Sequence, residues 1–154
     1  MNPEILEVLE EAKEELKRSE HLLFVTLKYT RTSEVMKNFL NRLINTYEKG
    51  FDSLLNYALE KQRISQIPVA KLVRCNVLTE AFVSIELENY VNFYKTLRLI
   101  YKTESFSREE YRRNLTIITP VNQDTFIETS VDDMNLYFLK TQEFIDFIYS
   151  IIQE

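Results

Sequence analysis

Glycine is nearly absent from this chain: Gly50 is the only one among 154 residues. Loops that cradle phosphates, bind dinucleotides or form EF-hand calcium sites all need glycine at defined positions, because other residues do not tolerate the backbone conformations involved. One cysteine and one histidine cannot supply a four-ligand zinc site, and one cysteine cannot form an intrachain disulfide. We therefore expect no metal, no cofactor and a mostly helical domain.

Apolar residues recur every three to four positions through most of the chain, which predicts four to five long helices. Asn2 followed by Pro3 is typical of a helix start, Thr32 or Ser33 can cap the second helix, and Ser130 with Asp133 is expected to cap the last helix. Gly50 lies in the apolar stripe of the second helix, where we expect a close helix crossing to compensate for its low helix propensity. The helices are predicted at about residues 3–28, 33–62, 68–84, 86–102 and 131–153, the third and fourth of which can be continuous.

The apolar period changes before the last helix. Residues 115–121 and 125–131 are rich in β-branched side chains, and residues 122–124 between them suit a short turn, so a β-hairpin is predicted at about 115–131. Just upstream, Ser107 and Glu110 match a capping box that is expected to open a short helix. The predicted fold is mainly α: a single domain over 1–154, a bundle of four to five long helices with one small β-hairpin before the C-terminal helix.

The chain shows neither a signal peptide nor an apolar run of about 18 residues, so we expect a cytoplasmic protein that does not interact with a membrane. The first predicted helix ends in the all-apolar stretch 22–25, which is expected to be buried on several sides or to meet a partner. His21 is expected to be packed or partly buried, and Cys75 to be an inert core thiol.

Charge is segregated along the sequence. The formal net charge is −5, but residues 1–20 carry −4, residues 21–123 carry +5 and residues 124–154 carry −6. The basic residues are densest in the segment 95–114, where Lys95, Arg98 and Lys102 share one helix face and three arginines follow.

Clustered basic side chains neutralise phosphates, and a tyrosine among them can stack on an unpaired base, as single-stranded RNA requires. The alternative is a solvated helix face whose basic groups pair with the glutamates nearby. The candidate residues for binding RNA or phosphate are Lys95, Arg98, Lys102, Arg108, Tyr111, Arg112, Arg113 and Asn114.

The stretch from Arg108 to Asn114 resembles the signature of the HEPN superfamily. Its members are small all-helical domains, often dimeric, and the active ones are metal-independent ribonucleases. The signature is an arginine, usually followed by a polar residue, and then a histidine after four to six intervening positions. By this resemblance Arg108 matches the arginine, Glu109 the polar residue, and Asn114 stands in place of the histidine. Asparagine does not exchange protons near neutral pH, so the resemblance implies a site that binds without cleaving.

These observations lead to a main hypothesis and two alternatives. The main one is a non-catalytic, HEPN-like interaction module that forms a homodimer and binds RNA through the segment 95–114. The first alternative is a protein–protein interaction or self-assembly module with no nucleic-acid role, and a homodimer is its simplest form. The second alternative is a metal-independent ribonuclease.

Overall fold

The computed structural model describes residues 2–153, and helices make up most of that part of the chain. The mainly helical prediction is confirmed, with five helices of at least eleven residues within the described range. In chain order the elements are α1 (Pro3–His21), a π-helical turn (Leu22–Thr26), α2 (Leu27–Tyr29), α3 (Ser33–Glu60), α4 (Lys71–Ala81), α5 (Ile85–Lys102), β1 (Phe106–Arg108), β2 (Thr116–Pro120), β3 (Phe126–Ser130) and α6 (Val131–Ile152).

The 28-residue helix α3 is the centre of the bundle, and α1, α5 and α6 pack around it. Gly50 lies on α3 where α6 crosses. A Cβ atom at this position would lie 2.5 Å from Cε2 of Phe144 and 2.7 Å from Cδ1 of Ile148. Side-chain atoms do not approach one another this closely, so the absence of a side chain at residue 50 permits the contact. The close crossing that the sequence predicts at Gly50 is present.

Aromatic side chains dominate the core at this crossing. Tyr47 of α3 stacks on Phe144 of α6, with ring centroids 4.4 Å apart. Phe51 contacts Tyr94 of α5 edge to face at 5.2 Å. Such pairs add about 0.5–1.5 kcal/mol each to the free energy gained from burying their area. The hydroxyl of Tyr47 is held neutral because burial raises its pKa, and it accepts a hydrogen bond from Thr141 Oγ1 at 3.3 Å.

The predicted helix starts are confirmed by their hydrogen bonds. The side chain of Asn2 accepts from the backbone N–H of Glu4, and Thr32 caps α3 in the same way. At α6, Ser130 Oγ accepts from the Asp133 N–H at 3.1 Å while the Asp133 carboxylate accepts from the Ser130 N–H at 2.9 Å. These are the two reciprocal bonds of a capping box.

The third and fourth helices are separate. The third was predicted to extend to about residue 84, but α4 ends at Ala81. Ser84 then caps α5 by accepting a hydrogen bond from the Leu87 N–H at 3.2 Å. The cap requires Ser84 to take an extended conformation, which interrupts the helix.

The end of the first helix also departs from its prediction. Regular α-helix stops at His21, which is exposed rather than packed. The wider π-helical turn that follows buries Leu23 and leaves Phe24 and Val25 at the surface, 52% and 43% exposed. The all-apolar stretch is thus open to solvent on one side. Cys75, by contrast, is buried as expected, and burial raises the pKa of its thiol.

The predicted hairpin is part of a three-stranded antiparallel sheet with the order β1-β2-β3. Its strands β2 and β3 lie where the sequence predicts them, but the short helix expected at Ser107 is wrong. Ser107 belongs to β1 and pairs with Ile117. The side chains of Ser107 and Glu110 still form a hydrogen bond of 2.8 Å. Glu110, however, accepts a hydrogen bond from the first turn of α3, and no helix begins at Ser107. None of the helices within residues 2–153 is both long and apolar enough to span a bilayer.

Candidate nucleic-acid interface

The two faces of the sheet differ in burial. Side chains alternate between the faces along each strand, and directly paired residues share a face. Ile117, Thr119 and Thr129 point inward and are buried. The register places Phe106 and Phe126 on the opposite, outer face, where they are 65% and 53% exposed. Two aromatic side chains on strands that are not neighbours are therefore presented to solvent from one sheet face.

Arg108 shares that outer face. Its Nη1 and Nη2 atoms donate to the two carboxylate oxygens of Glu128 at 3.0 and 3.4 Å. About half of each side chain is exposed, and an exposed pair of this kind contributes about 1 kcal/mol or less. The ion pair orients the guanidinium of Arg108, but it is weak. A phosphate can therefore compete with Glu128 for the same two donor groups.

Residues 109–114 form a tight loop next to the sheet. Glu109 and Tyr111 have φ angles of 59° and 66°, in the left-handed region that costs non-glycine residues about 1–2 kcal/mol each. Two hydrogen bonds hold the loop in place: the Tyr111 N–H donates to the Arg31 carbonyl at 2.6 Å, and the Arg31 guanidinium donates to the Arg113 carbonyl at 3.2 Å. The loop conformation therefore depends on the segment between α2 and α3.

Glu110 anchors the same loop to the N-terminus of α3. Its carboxylate oxygens accept from the backbone N–H of Ser33 at 3.2 and 3.1 Å, and Oε1 also accepts from Ser107 Oγ at 2.8 Å. A negative charge at a helix N-terminus interacts favourably with the helix dipole. Burial of the carboxyl favours its protonated form, but the hydrogen bonds from Ser33 and Ser107 outweigh this, so the pKa of Glu110 is lowered.

Glu110→Gln is expected to destabilise the protein at neutral pH by about 0.5–1 kcal/mol, the low end of the range for helix caps, because the carboxylate is only partly buried. A lowered folded-state pKa stabilises the fold above the ordinary pKa of 4.5, and this contribution disappears as the pH falls through the folded value. Urea unfolding at pH 7 and at about pH 3 measures the difference between wild type and variant. Glu109→Gln, an exposed neighbour, is the control. An equal difference at both pH values would contradict the anchoring role.

Tyr111, Arg112 and Arg113 are exposed at the surface of this loop, with Tyr111 at 76%. Among residues 2–153 no carboxylate pairs with either arginine. We call the outer sheet face together with this loop the sheet–loop surface; it consists of Phe106, Arg108, residues 109–114, Ile118, Pro120, Phe126 and Glu128. Sequence reasoning found its arginines and its tyrosine but missed the two phenylalanines, which only the strand register brings together.

Lys37 of α3 contacts the segment that connects α5 to β1. Its ammonium donates to the carbonyls of Ile100 and Thr103 at 2.7 and 3.3 Å, and to Ser105 Oγ at 3.4 Å. Burial lowers the pKa of Lys37. A positive charge against the last carbonyls of α5 is favourable. Strand β1 is thus tied to α3 on both sides, before the strand through Lys37 and after it through Glu110.

The α5 part of the predicted segment has different surroundings. Lys95 lines a shallow cleft with Cys75 and Thr79 of α4. Arg98 lies over the ring of Tyr94 and donates to its hydroxyl at 3.4 Å. Lys102 is exposed at the end of α5. Lys95 and Arg98 both lie close enough to Cys75 of α4 to interact electrostatically with its thiol. The loop arginines instead lie beside the start of α3.

The residues that resemble the HEPN signature lie at the two ends of the loop. Arg108 is in β1, and Asn114 is exposed just before β2, where its carbonyl accepts from Thr116 Oγ1 at 2.9 Å. His21 lines a different cleft, with Arg18 and Arg42. No group of three or more potential metal ligands occurs among the described residues. In comparisons with family models, curated proteins and solved structures, none matched the chain.

Proposed function

We propose that this protein is a non-catalytic module that binds single-stranded RNA on the sheet–loop surface. The observation that carries the proposal is the combination of exposed aromatic rings and unpaired arginines. Phe106 and Phe126 are exposed on the outer sheet face, and Tyr111, Arg112 and Arg113 are exposed on the loop that joins β1 to β2. Antiparallel sheets that bind single-stranded RNA stack bases on exposed aromatic side chains, and basic groups nearby contact the phosphates. Neither feature alone would favour RNA over another polyanion.

The held conformation of the loop supports the same proposal. Binding a flexible ligand costs the entropy of ordering both partners, and a loop that is already ordered reduces this cost. The contacts of Glu110 and of the Tyr111 N–H hold the loop in a backbone conformation that is unfavourable for its residues. Strain of this kind persists where the surrounding structure over-determines it, and it is common at ligand-binding sites.

The proposal assigns no cleavage step to this surface. Asn114, which stands where the HEPN resemblance implies a histidine, has no group that gains or loses a proton near neutral pH. Arginine stays protonated throughout the physiological range. An asparagine and an arginine can hold a phosphate by hydrogen bonds, which is a binding role.

Chemical-shift mapping tests the location directly. Adding a short single-stranded oligouridine to the ¹⁵N-labelled protein is expected to shift the backbone amides of residues 106–113 and 126–128. Amides on α4 and on the N-terminal half of α5 serve as internal controls, because they are not part of the sheet–loop surface. Shifts confined to those helices, or no shifts at low salt, would contradict the proposal.

Self-association is a second candidate function, favoured by exposed apolar side chains on the π-helical turn. Phe24 and Val25 of the π-helical turn are apolar and half exposed, as an interface would require. A two-fold dimer is compatible with RNA binding, because it would carry two copies of the sheet–loop surface.

A further inference from the structure

The central helix has one polar face. Its members recur at helical spacing and are only half-buried, whereas the rest of α3 is largely in the core: Arg42, Asn45, Glu48, Lys49 and Asp52. Helix α1 flanks this face on one side, and α4 and α5 flank it on the other. A cleft of about 370 Å³ lies between them, which is within the range of about 300–1,000 Å³ that is usual for small-molecule sites. We call it the α3 cleft.

Charged groups of both signs line the α3 cleft in equal number. Three are carboxylates and three are basic: Glu15, Glu48 and Asp52, and Lys49, Lys71 and Arg74. Such a lining does not favour a polyanion or a multivalent cation, because each would meet as much repulsion as attraction. An apolar ligand would cover these charged groups without replacing their contacts with water, which is unfavourable. Equal numbers of opposite charges suit a small molecule that itself carries one charge of each sign.

Several of these groups are held in position by one another. Glu48 accepts from the Tyr94 hydroxyl at 2.7 Å and from the Lys71 ammonium at 3.1 Å. Arg74 donates to the Asp52 carboxylate and, from Nε, to the Pro68 carbonyl at 2.6 Å. The rotamers of these side chains are thereby restricted before any ligand binds, which lowers the entropic cost of binding.

The cleft keeps unused hydrogen-bonding capacity. The Asn45 side-chain amide has no partner within residues 2–153, and Arg74 keeps its Nη2 group without a protein acceptor there. Burial raises the pKa of the Asp52 carboxyl, although the guanidinium of Arg74 beside it acts in the opposite direction. An additional cation would therefore stabilise the Asp52 carboxylate, and an additional anion could bind Arg74 Nη2.

We propose that the α3 cleft binds a small zwitterion of the free α-amino acid class. The ligand ammonium binds beside Asp52, and the ligand carboxylate binds Arg74. Lys49 also lines the cleft, where its ammonium pairs with Glu11 at 3.0 Å, so the ligand carboxylate competes with Glu11 for it. The Asn45 amide bonds to either group of the ligand. The site lies apart from the sheet–loop surface and does not depend on RNA binding.

Saturation-transfer NMR with the twenty free L-amino acids as probes identifies a ligand, and calorimetry then measures its affinity for the full chain. The N-acetylated and carboxamide forms of the same amino acid are expected to bind at least tenfold more weakly to the wild-type protein, because each lacks one of the two charges. A ligand whose two blocked forms bind as tightly as the zwitterion would overturn the proposal, as would the absence of saturation transfer from all twenty.

Variants locate the site. Asn45→Leu and Asp52→Asn are each expected to weaken binding at least tenfold, whereas Asn38→Leu, at an exposed position of α3 outside the cleft, is expected to leave it unchanged. Circular dichroism checks that each variant is folded. Unchanged affinity in both cleft variants would also overturn the proposal. If a variant does not fold, the proposal is tested by the affinities of the N-acetylated and carboxamide forms for the wild-type protein.

Discussion

Phe144→Ala is expected to lower the free energy of unfolding by about 3–5 kcal/mol, because it leaves a cavity in the aromatic core that the surrounding helices cannot fill. The ring is fully buried, stacks on Tyr47 and occupies the space beside Gly50. Urea unfolding followed by far-UV circular dichroism measures the change. The matched control is Phe106→Ala, which removes the same atoms from an exposed position and is expected to change stability by about 0.5 kcal/mol or less.

The contact with Gly50 adds a second requirement. Gly50→Ala alone is expected to destabilise the protein despite the better helix propensity of alanine, because the new Cβ would overlap the Phe144 ring and Ile148 Cδ1. In the Phe144→Ala background most of that overlap is removed, so the two substitutions are expected to be non-additive by more than about 0.5 kcal/mol. Additive effects would show that the crossing of α3 and α6 does not depend on this contact.

Local signals in the sequence were sufficient for most of the helical fold. The caps at Asn2, Thr32 and Ser130 use hydrogen bonds between neighbouring residues, so a short pattern predicts them. The crossing at Gly50 could be predicted because a glycine in the apolar stripe of a helix lowers stability unless a neighbouring helix packs closely against it. The hairpin strands were predicted because several β-branched residues follow one another.

The third strand could not be predicted in this way. Phe106–Arg108 is only three residues long, and Ser107 with Glu110 matches a helix-opening pattern just as well. Contacts with residues elsewhere in the sequence determine that this segment is a strand. They are its pairing with β2 and the hydrogen bond between Glu110 and the N-terminus of α3, which lies 77 residues away in sequence. Long-range hydrogen bonds therefore override the local preference of this segment.

The candidate site was predictable only in part, for the same reason. Arg108, Tyr111, Arg112 and Arg113 are close together in sequence, so composition alone singled them out. Phe106 and Phe126 share a face only through the register of the strands between them, and Arg31 contacts Arg113 across 82 residues. Helical spacing predicts that Lys95, Arg98 and Lys102 share one face of α5, but it carries no information on which neighbouring helix that face meets.

The Arg112→Ala/Arg113→Ala double variant is expected to bind single-stranded RNA about tenfold to a hundredfold more weakly than wild type, since each lost hydrogen bond to a phosphate contributes about 1 kcal/mol. The reason is structural: both side chains are exposed, and among the described residues neither is paired with a carboxylate, so their charges are free for phosphates. Their removal leaves the anchoring bonds of Glu110 intact, so the fold is expected to be unaffected. Fluorescence anisotropy with a labelled oligouridine measures the affinity.

The salt dependence of that affinity tests the central claim most directly. Wild-type affinity is expected to fall steeply between low and high salt, and the double variant is expected to lose about 1.4 from the slope of log K against log salt concentration, or about 0.7 per phosphate contact on a single strand. The matched control, Lys95→Ala/Arg98→Ala, removes the same number of charges from the face of α5 that meets α4 and is expected to change affinity and slope less. Absence of binding at low salt, salt-independent binding, or a larger loss in the α5 control than in the loop variant would contradict an RNA-binding sheet–loop surface.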